Sequence, residues 1–361
     1  MKEQFLSNCV KAFVQKTITE GYRLDGRNYN ESRKLEISFG ADYGSCMVTL
    51  GETKVLSQVS CEVVQPKQIR PNEGILFVNV DTSPMTAPHF DYNRQSDLCV
   101  YLNRLLEKCY KDSKCIDLES LCIVVEEKVW SLRVDIKVIN HAGNVIECAS
   151  IATLASLAHF KRPDITRTGD EVHIHTMTEK DPIPTVLYHY PVCLTFAIFN
   201  NDILISDPTS LEENVCEGTT DEGVTMGGVL VIGMNQYKEL CLMDLTGAAI
   251  YNSNVVHRAT LSAANRCQEI VQLIKKCIAT DDNLRQKRNK INFKSNITGD
   301  HILALSTQEL SIQLRNYNDD DFVEPMEEGL DVDDDQDDGE WTTVGDNKKE
   351  PKYTEYYYII L

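Results

Sequence analysis

The chain has 361 residues, 42% hydrophobic and 25% charged, a globular composition long enough for one large or two ordinary domains. It carries 36 Lys+Arg against 55 Asp+Glu, a net charge of −19, of which −13 falls in 316–361 and −6 in the body. This excludes nucleic-acid binding through whole-molecule charge, so any such role has to be local, and the longest uncharged apolar runs, 192–199 and 227–234, are under half of what spans a bilayer.

Residues 2–20 read as an amphipathic helix, with Leu6, Val10, Phe13, Val14 and Thr17 at helical spacing. Asp25-Gly26 marks a turn. Strands are predicted at 34–39, 45–50 and 53–64 as antiparallel hairpins, and again at 74–80. A helix over 95–111 puts Leu98, Tyr101, Leu102, Leu105 and Cys109 on one face, and strands return at 120–124 and 130–140. The segment 144–159 is helical and rich in small residues (Ala149, Ala152, Ala155, Ala158), as expected where a helix presses onto a sheet; Lys161-Arg162-Pro163-Asp164 stops it. A second unit begins near Val186, with strands at 193–199 and 203–205 around Asn200-Asn201-Asp202, strands at 228–233 and 240–244, and a long helix over 253–287. The order of strands and helices describes a layered α+β fold.

Four segments follow: an N-terminal helix (1–22), a first core part (23–185), a second core part (186–290) and an extension (291–361). The extension is acidic and expected to be disordered from about residue 316, because runs such as Asp333-Asp334-Asp335 repel and bury little. Acidic stretches of this kind suit basic partner segments, and the apolar end Tyr356-Tyr357-Tyr358-Ile359-Ile360-Leu361 is a candidate docking motif. The first residues, Met1-Lys2-Glu3-Gln4-Phe5, lack the hydrophobic core of a signal peptide. Thirteen cysteines without a C-x-x-C pair are expected as reduced thiols of the cytosol or nucleus.

Arg23-Leu24-Asp25-Gly26-Arg27, Glu36-Ile37-Ser38-Phe39-Gly40, Leu50-Gly51-Glu52-Thr53-Lys54-Val55, Leu102-Asn103-Arg104-Leu105-Leu106-Glu107, Val129-Trp130 with Val134-Asp135-Ile136, and Gly143-Asn144 with Ala149-Ser150-Ile151 occur in this order. Together they resemble the RNase PH family over roughly residues 20–285. Gly74-Ile75-Leu76-Phe77, Arg94-Gln95-Ser96-Asp97-Leu98 and His159-Phe160-Lys161-Arg162-Pro163-Asp164 resemble, within it, the exosome ring subunits of the polymyositis/scleroderma autoantigen type. The segment 252–260 and the acidic extension match less closely. The resemblance implies an RNase PH fold with a ribosomal protein S5 domain 2-like core. It further implies a six-membered ring with other RNase PH-like subunits, S1/KH cap proteins, a separate hydrolytic exonuclease subunit, RNA threaded through the pore, and residence in nucleus, nucleolus and cytoplasm.

The family's chemistry is phosphorolysis of an RNA 3′ end. It needs a hydroxyl donor and an Arg to hold phosphate, and two aspartates for a divalent metal and proton transfer. Counted against the family's pattern, Ile146 stands at the hydroxyl position and Glu147 at the Arg, so the start of this helix reads as a capped end. Asp207 matches the first aspartate and Glu213 the second; their structural reading is a turn at Asp207-Pro208 followed by an exposed Glu212-Glu213 loop. A silent ring member is therefore expected, with no catalytic residue, cofactor or metal; the alternative is an active phosphorolytic 3′→5′ exoribonuclease using Asp207 and Glu213. Arg104, Lys108 and Lys111 lie at i, i+4 and i+7 of one helix with Arg94 before it, and are the candidates for contacting RNA in the channel, Arg104 foremost by resemblance. His173 and His175 alternate on 171–176 and read as an ordinary polar face, and the glycines form no phosphate loop.

Overall fold

A computed structural model describes residues 6–87, 90–91, 95–168, 171–176, 179–199, 203–217, 227–247 and 252–287, all within the unit Met1–His301. Arg94, the turn Asn200-Asn201-Asp202, the acidic run from residue 316 and the apolar C-terminal motif lie outside these residues.

Helix α1 (Asn8–Thr19) starts at Ser7, whose hydroxyl accepts from Val10 N, and buries Val14 and Ile18. Strands β1 (Leu35–Phe39), β2 (Ser45–Leu50), β3 (Thr53–Val64) and β4 (Ile75–Thr82) follow. Helix α2 (Asp97–Glu107) is capped by Ser96 and runs into a π-helical turn, Lys108–Asp112. After a 3-10 turn, Glu119–Leu121, come β5 (Cys122–Val124), β6 (Lys128–Asn140), α3 (Val145–His159), and the short strands β7 (Lys161–Arg162), β8 (Ile165–Thr168), β9 (Glu171–Ile174) and β10 (Ile183–Pro184). The remainder is β11 (Val192–Phe199), β12 (Ile203–Ser206), α4 (Ser210–Glu217), β13 (Gly227–Met234), β14 (Leu240–Thr246) and α5 (Ser253–Gln286).

The first sheet has the order β1-β2-β3-β6-β4, with β5 also on β6. All its pairs are antiparallel except β4 with β6. Its inward face follows from period-two alternation: Val55, Ser57 and Val59 on β3, and Leu132, Val134, Ile136 and Val138 on β6, are all buried. The second sheet, β12-β11-β13-β14, is antiparallel throughout. Every residue of β11 and β13 is buried. The two uncharged apolar runs of the sequence are therefore strands covered on both faces.

Helix α3 packs against β2, β3 and β6 of the first sheet and against β11 of the second. Apart from Ala158, each of its described residues is buried. That position accounts for its composition, because small residues let both sheets approach its backbone. Its hydroxyls are matched: Ser156 Oγ meets Ser57 Oγ at 2.8 Å, and Ser150 Oγ accepts from Cys193 N at 3.1 Å. Helix α5 opens at Asn252 and buries Val255, Ala259, Ala263, Cys267, Ile270, Val271 and Ile274, the i, i+4, i+7 stripe of an amphipathic helix. All thirteen cysteines are free thiols, and among the described residues no helix is long and apolar enough to cross a membrane.

One expectation is corrected. The stretch after Asp207-Pro208 is helix α4, and Glu212 is 1% exposed. It is not an exposed loop, because a buried arginine far away in sequence draws Glu212 inward.

Candidate functional site

The site forms where the turn before α3 meets the end of β12. Gly143 (φ +94°) and Asn144 (φ +53°) are both left-handed. A Cβ on Gly143 would lie 2.4 Å from Ser210 N and 2.7 Å from Pro208 O, so only glycine lets this turn approach the start of α4. Asn144, the residue that opens α3, does not cap the helix with its side chain. Its Nδ2 donates to Asp207 Oδ1 and to Glu147 Oε2, both at 2.7 Å, and its backbone N donates to Glu213 Oε1 at 2.8 Å. The amide end of the helix, which attracts anions, is thus held by the chain's own carboxylates.

Asp207 is 1% exposed and left-handed (φ 49°). Its carboxylate accepts five hydrogen bonds. Arg33 supplies three, from N at 2.7 Å, Nε at 3.0 Å and Nη2 at 2.8 Å; Arg27 Nη1 supplies one at 2.9 Å, and Asn144 the fifth. Burial by itself would raise its pKa, but Arg33 overrides burial and holds the carboxyl below the ordinary carboxylate range. A second buried pair stands beside it. Arg23 donates through Nε at 3.0 Å and Nη2 at 2.7 Å to the two carboxylate oxygens of Glu212, and also to the carbonyls of Ser206 and Asp207. Arg33 Nη1 and Nη2 further bond the carbonyls of Ala142 and Gly143, tying the turn before α3 to the same cluster.

Glu147 has no such partner. Burial, then the neighbouring charge of Asp207, pushes its carboxyl up to about 7, against the opposing pull of Arg266, Asn144 and Arg33. Four buried polar atoms here lack a hydrogen-bond partner among the described residues: Glu147 Oε1, Asn144 Oδ1, Thr195 Oγ1 and Arg266 Nε. Glu147, Thr195, Asp207 and Arg266 line a cavity of about 30 Å³, room enough for ordered water beside these atoms.

The structure thus brings Asp207 and Glu213 together at Asn144 and sets Glu147 beside them. Ile146 is buried in the core. Arg23, Arg27, Arg33 and Glu212 organise the site without having been singled out as site residues. Arg23 and Arg27 stand in the quoted opening motif, but nothing local shows that their partners lie about 180 residues away.

The helix candidates lie elsewhere. Arg104 is exposed on α2, and Lys108, half-buried, closes it. Lys111 sits in the π turn, its Nζ 3.7 Å from Glu107 Oε1. The wider π turn takes Lys111 out of step with the i, i+4, i+7 row that an uninterrupted α-helix would give. Arg94 lies outside the described residues.

Residues 31–163 match the 3′ exoribonuclease family, domain 1, and residues 189–262 match domain 2 of the same family. The exosome complex component RRP45 of Rattus norvegicus is 45% identical over 317 residues, 88% of this chain and 70% of that protein. The rrp45 of Schizosaccharomyces pombe is 34% identical over 281 residues, covering 78% of this chain and 92% of that protein. In fold, a chain of the Archaeoglobus fulgidus exosome with RNA bound to the active site superposes with a TM-score of 0.63 at 22% identity, covering 73% of this chain and 97% of that one. A chain of an archaeal exosome core gives 0.60, also at 22% identity. With both family domains in order and RRP45 proteins related along most of its length, the chain belongs to the RNase PH-type 3′ exoribonuclease family, in its RRP45 branch.

Proposed function

We propose that this chain is a non-catalytic ring subunit of an RNA exosome. It completes a six-membered ring with other RNase PH-like chains, seats S1/KH cap proteins, and guides RNA towards a separate hydrolytic exonuclease subunit in nucleus, nucleolus and cytoplasm. One observation carries the proposal: the helix end where an active relative would hold phosphate is filled by the chain's own carboxylates. An incoming phosphate has to displace Glu213 from Asn144 N and meet Glu147. A metal ion has to compete with five N–H donors for Asp207. The kinship with RRP45 proteins supports the ring assignment.

Arg104 is the foremost RNA contact in this reading, because it is exposed and a cation on a pore wall holds phosphates without reading sequence. Lys108, Arg94 and Lys111 rank below it. The test is affinity purification of tagged wild type and Arg104→Glu from cells, with ultraviolet crosslinking to RNA. The proposal expects both chains to bring down other RNase PH-like subunits and the variant to crosslink less. Failure of the wild type to co-purify with any such subunit would overturn it.

A further inference from the structure

The hairpin β8–β9 and the turn after it gather a second group of side chains, away from the site above. Thr166 and His173 are cross-strand partners, and the rings of His173 and His175 lie with centroids 4.9 Å apart. The chain then folds back, with Glu179 N and Lys180 N both donating to Thr176 O. This brings Glu179 Oε2 to 3.2 Å from His175 Nδ1 and 3.3 Å from Thr176 N. The other ring nitrogen, His175 Nε2, meets the hydroxyl of Thr166. The imidazole is thus fixed at both ends, with one nitrogen turned towards a carboxylate.

From this geometry we infer a divalent transition-metal site of the zinc class, with His173, His175 and Glu179 as protein ligands. One donor atom from each lies within 4.8 Å of the other two. Bonds of about 2.0–2.1 Å at tetrahedral angles place neighbouring ligand atoms roughly 3.3–3.4 Å apart. The 3.2 Å between His175 Nδ1 and Glu179 Oε2 already meets that spacing, and the exposed His173 closes the remainder by side-chain rotation. Two imidazoles and one carboxylate suit zinc; calcium and magnesium prefer all-oxygen sets. The Thr166 contact is the outer-shell bond that holds a ligating imidazole in one orientation. Lys180, the nearby cation, has its Nζ engaged by Asp164 Oδ2 at 3.1 Å and Thr166 Oγ1 at 3.0 Å, so its charge is partly offset. A bound ion would clip the end of β9 to Glu179 and leave a coordination position open to solvent. Strand alternation shows the two histidines on one side; the third ligand comes from beyond a turn.

The test titrates the full-length chain with Zn²⁺ against a chromophoric chelator and with Co²⁺ as the spectroscopic reporter, comparing wild type, His173→Ala and Glu179→Gln. Both substituted residues are exposed, and circular dichroism checks that each variant keeps the fold. The expected result is one Zn²⁺ per chain at this site, its affinity falling roughly tenfold or more in each variant, and cobalt d–d bands of nitrogen and oxygen ligation. No zinc binding, equal affinity in all three chains, or a cobalt spectrum of thiolate charge transfer alone would overturn the assignment.

Discussion

Replacing Glu147 by Gln removes a buried carboxyl that the fold holds against its chemistry. Its pKa stands at about 7 in the folded chain against an ordinary 4.5, so the folded chain keeps a proton that the unfolded chain has lost. Between those values the native state binds more protons than the unfolded state, and stability falls as pH rises through the window. At about 1.4 kcal/mol per pH unit, ionisable Glu147 costs the fold about 3 kcal/mol at pH 8 and about 1 kcal/mol at pH 5.5. Gln is the isostere of the neutral acid: its carbonyl keeps the bond from Asn144 Nδ2, and its amide faces the cavity lined by Thr195 and Arg266. Urea unfolding of the full chain at the two pH values is the assay. Glu147→Gln should gain stability at pH 8, and its advantage should shrink by about 2 kcal/mol at pH 5.5. A variant destabilised equally at both pH values would refute the reasoning, because Glu147 would then be ionised and acting as the counter-charge of Arg266.

Asp207→Ala leaves Arg33 and Arg27 without their carboxylate and should cost about 3–5 kcal/mol in denaturant unfolding; an unchanged midpoint would show that the pairing contributes nothing. Asp207 titrates with the opposite sign to Glu147. Its folded pKa lies below the ordinary 3.8, so its contribution is complete above that value and is lost as pH falls through the lower, folded one. Asp207→Asn should therefore flatten the acid limb of the stability curve below about pH 4. Gly143→Ala forces a Cβ to 2.4 Å from Ser210 N in a left-handed turn and should cost about 3 kcal/mol or more, read by thermal unfolding. If Arg104 holds one RNA phosphate in the assembled ring, Arg104→Ala should reduce the slope of log affinity against log salt by about 0.7 for single-stranded RNA. An unchanged slope would remove Arg104 from the path.

Much of the fold was legible because its signals are local. Hairpin signals placed β2 and β3 at their observed bounds, and the strands expected at 193–199 and 228–233 fall within β11 and β13. The small residues of α3 pointed to close packing on a sheet, and the structure adds that sheets lie on two sides of it. Helix α4 was missed because its residues read as an acidic loop; its place depends on Arg23, separated from Glu212 by 189 positions. The site was half legible. Motif counting singled out Asp207, Glu213 and Glu147, and the structure gathers all three around Asn144. The arginine clamp could not be read, since a charged residue in a sequence looks solvated until its distant partner is known. The π turn that shifts Lys111 breaks helical phase without any Gly or Pro to announce it.

The most direct test of the central claim is release of nucleoside diphosphate from a labelled RNA in the presence of phosphate and Mg²⁺. It would compare the purified chain alone with the chain joined to an RNase PH-like ring neighbour. With Glu213 on the amide end of α3 and Asp207 held by Arg33 and Arg27, no phosphate-dependent product should come from this subunit in either setting. Product that disappears with Asp207→Ala, yet survives mutation of the neighbour's own site, would contradict the account.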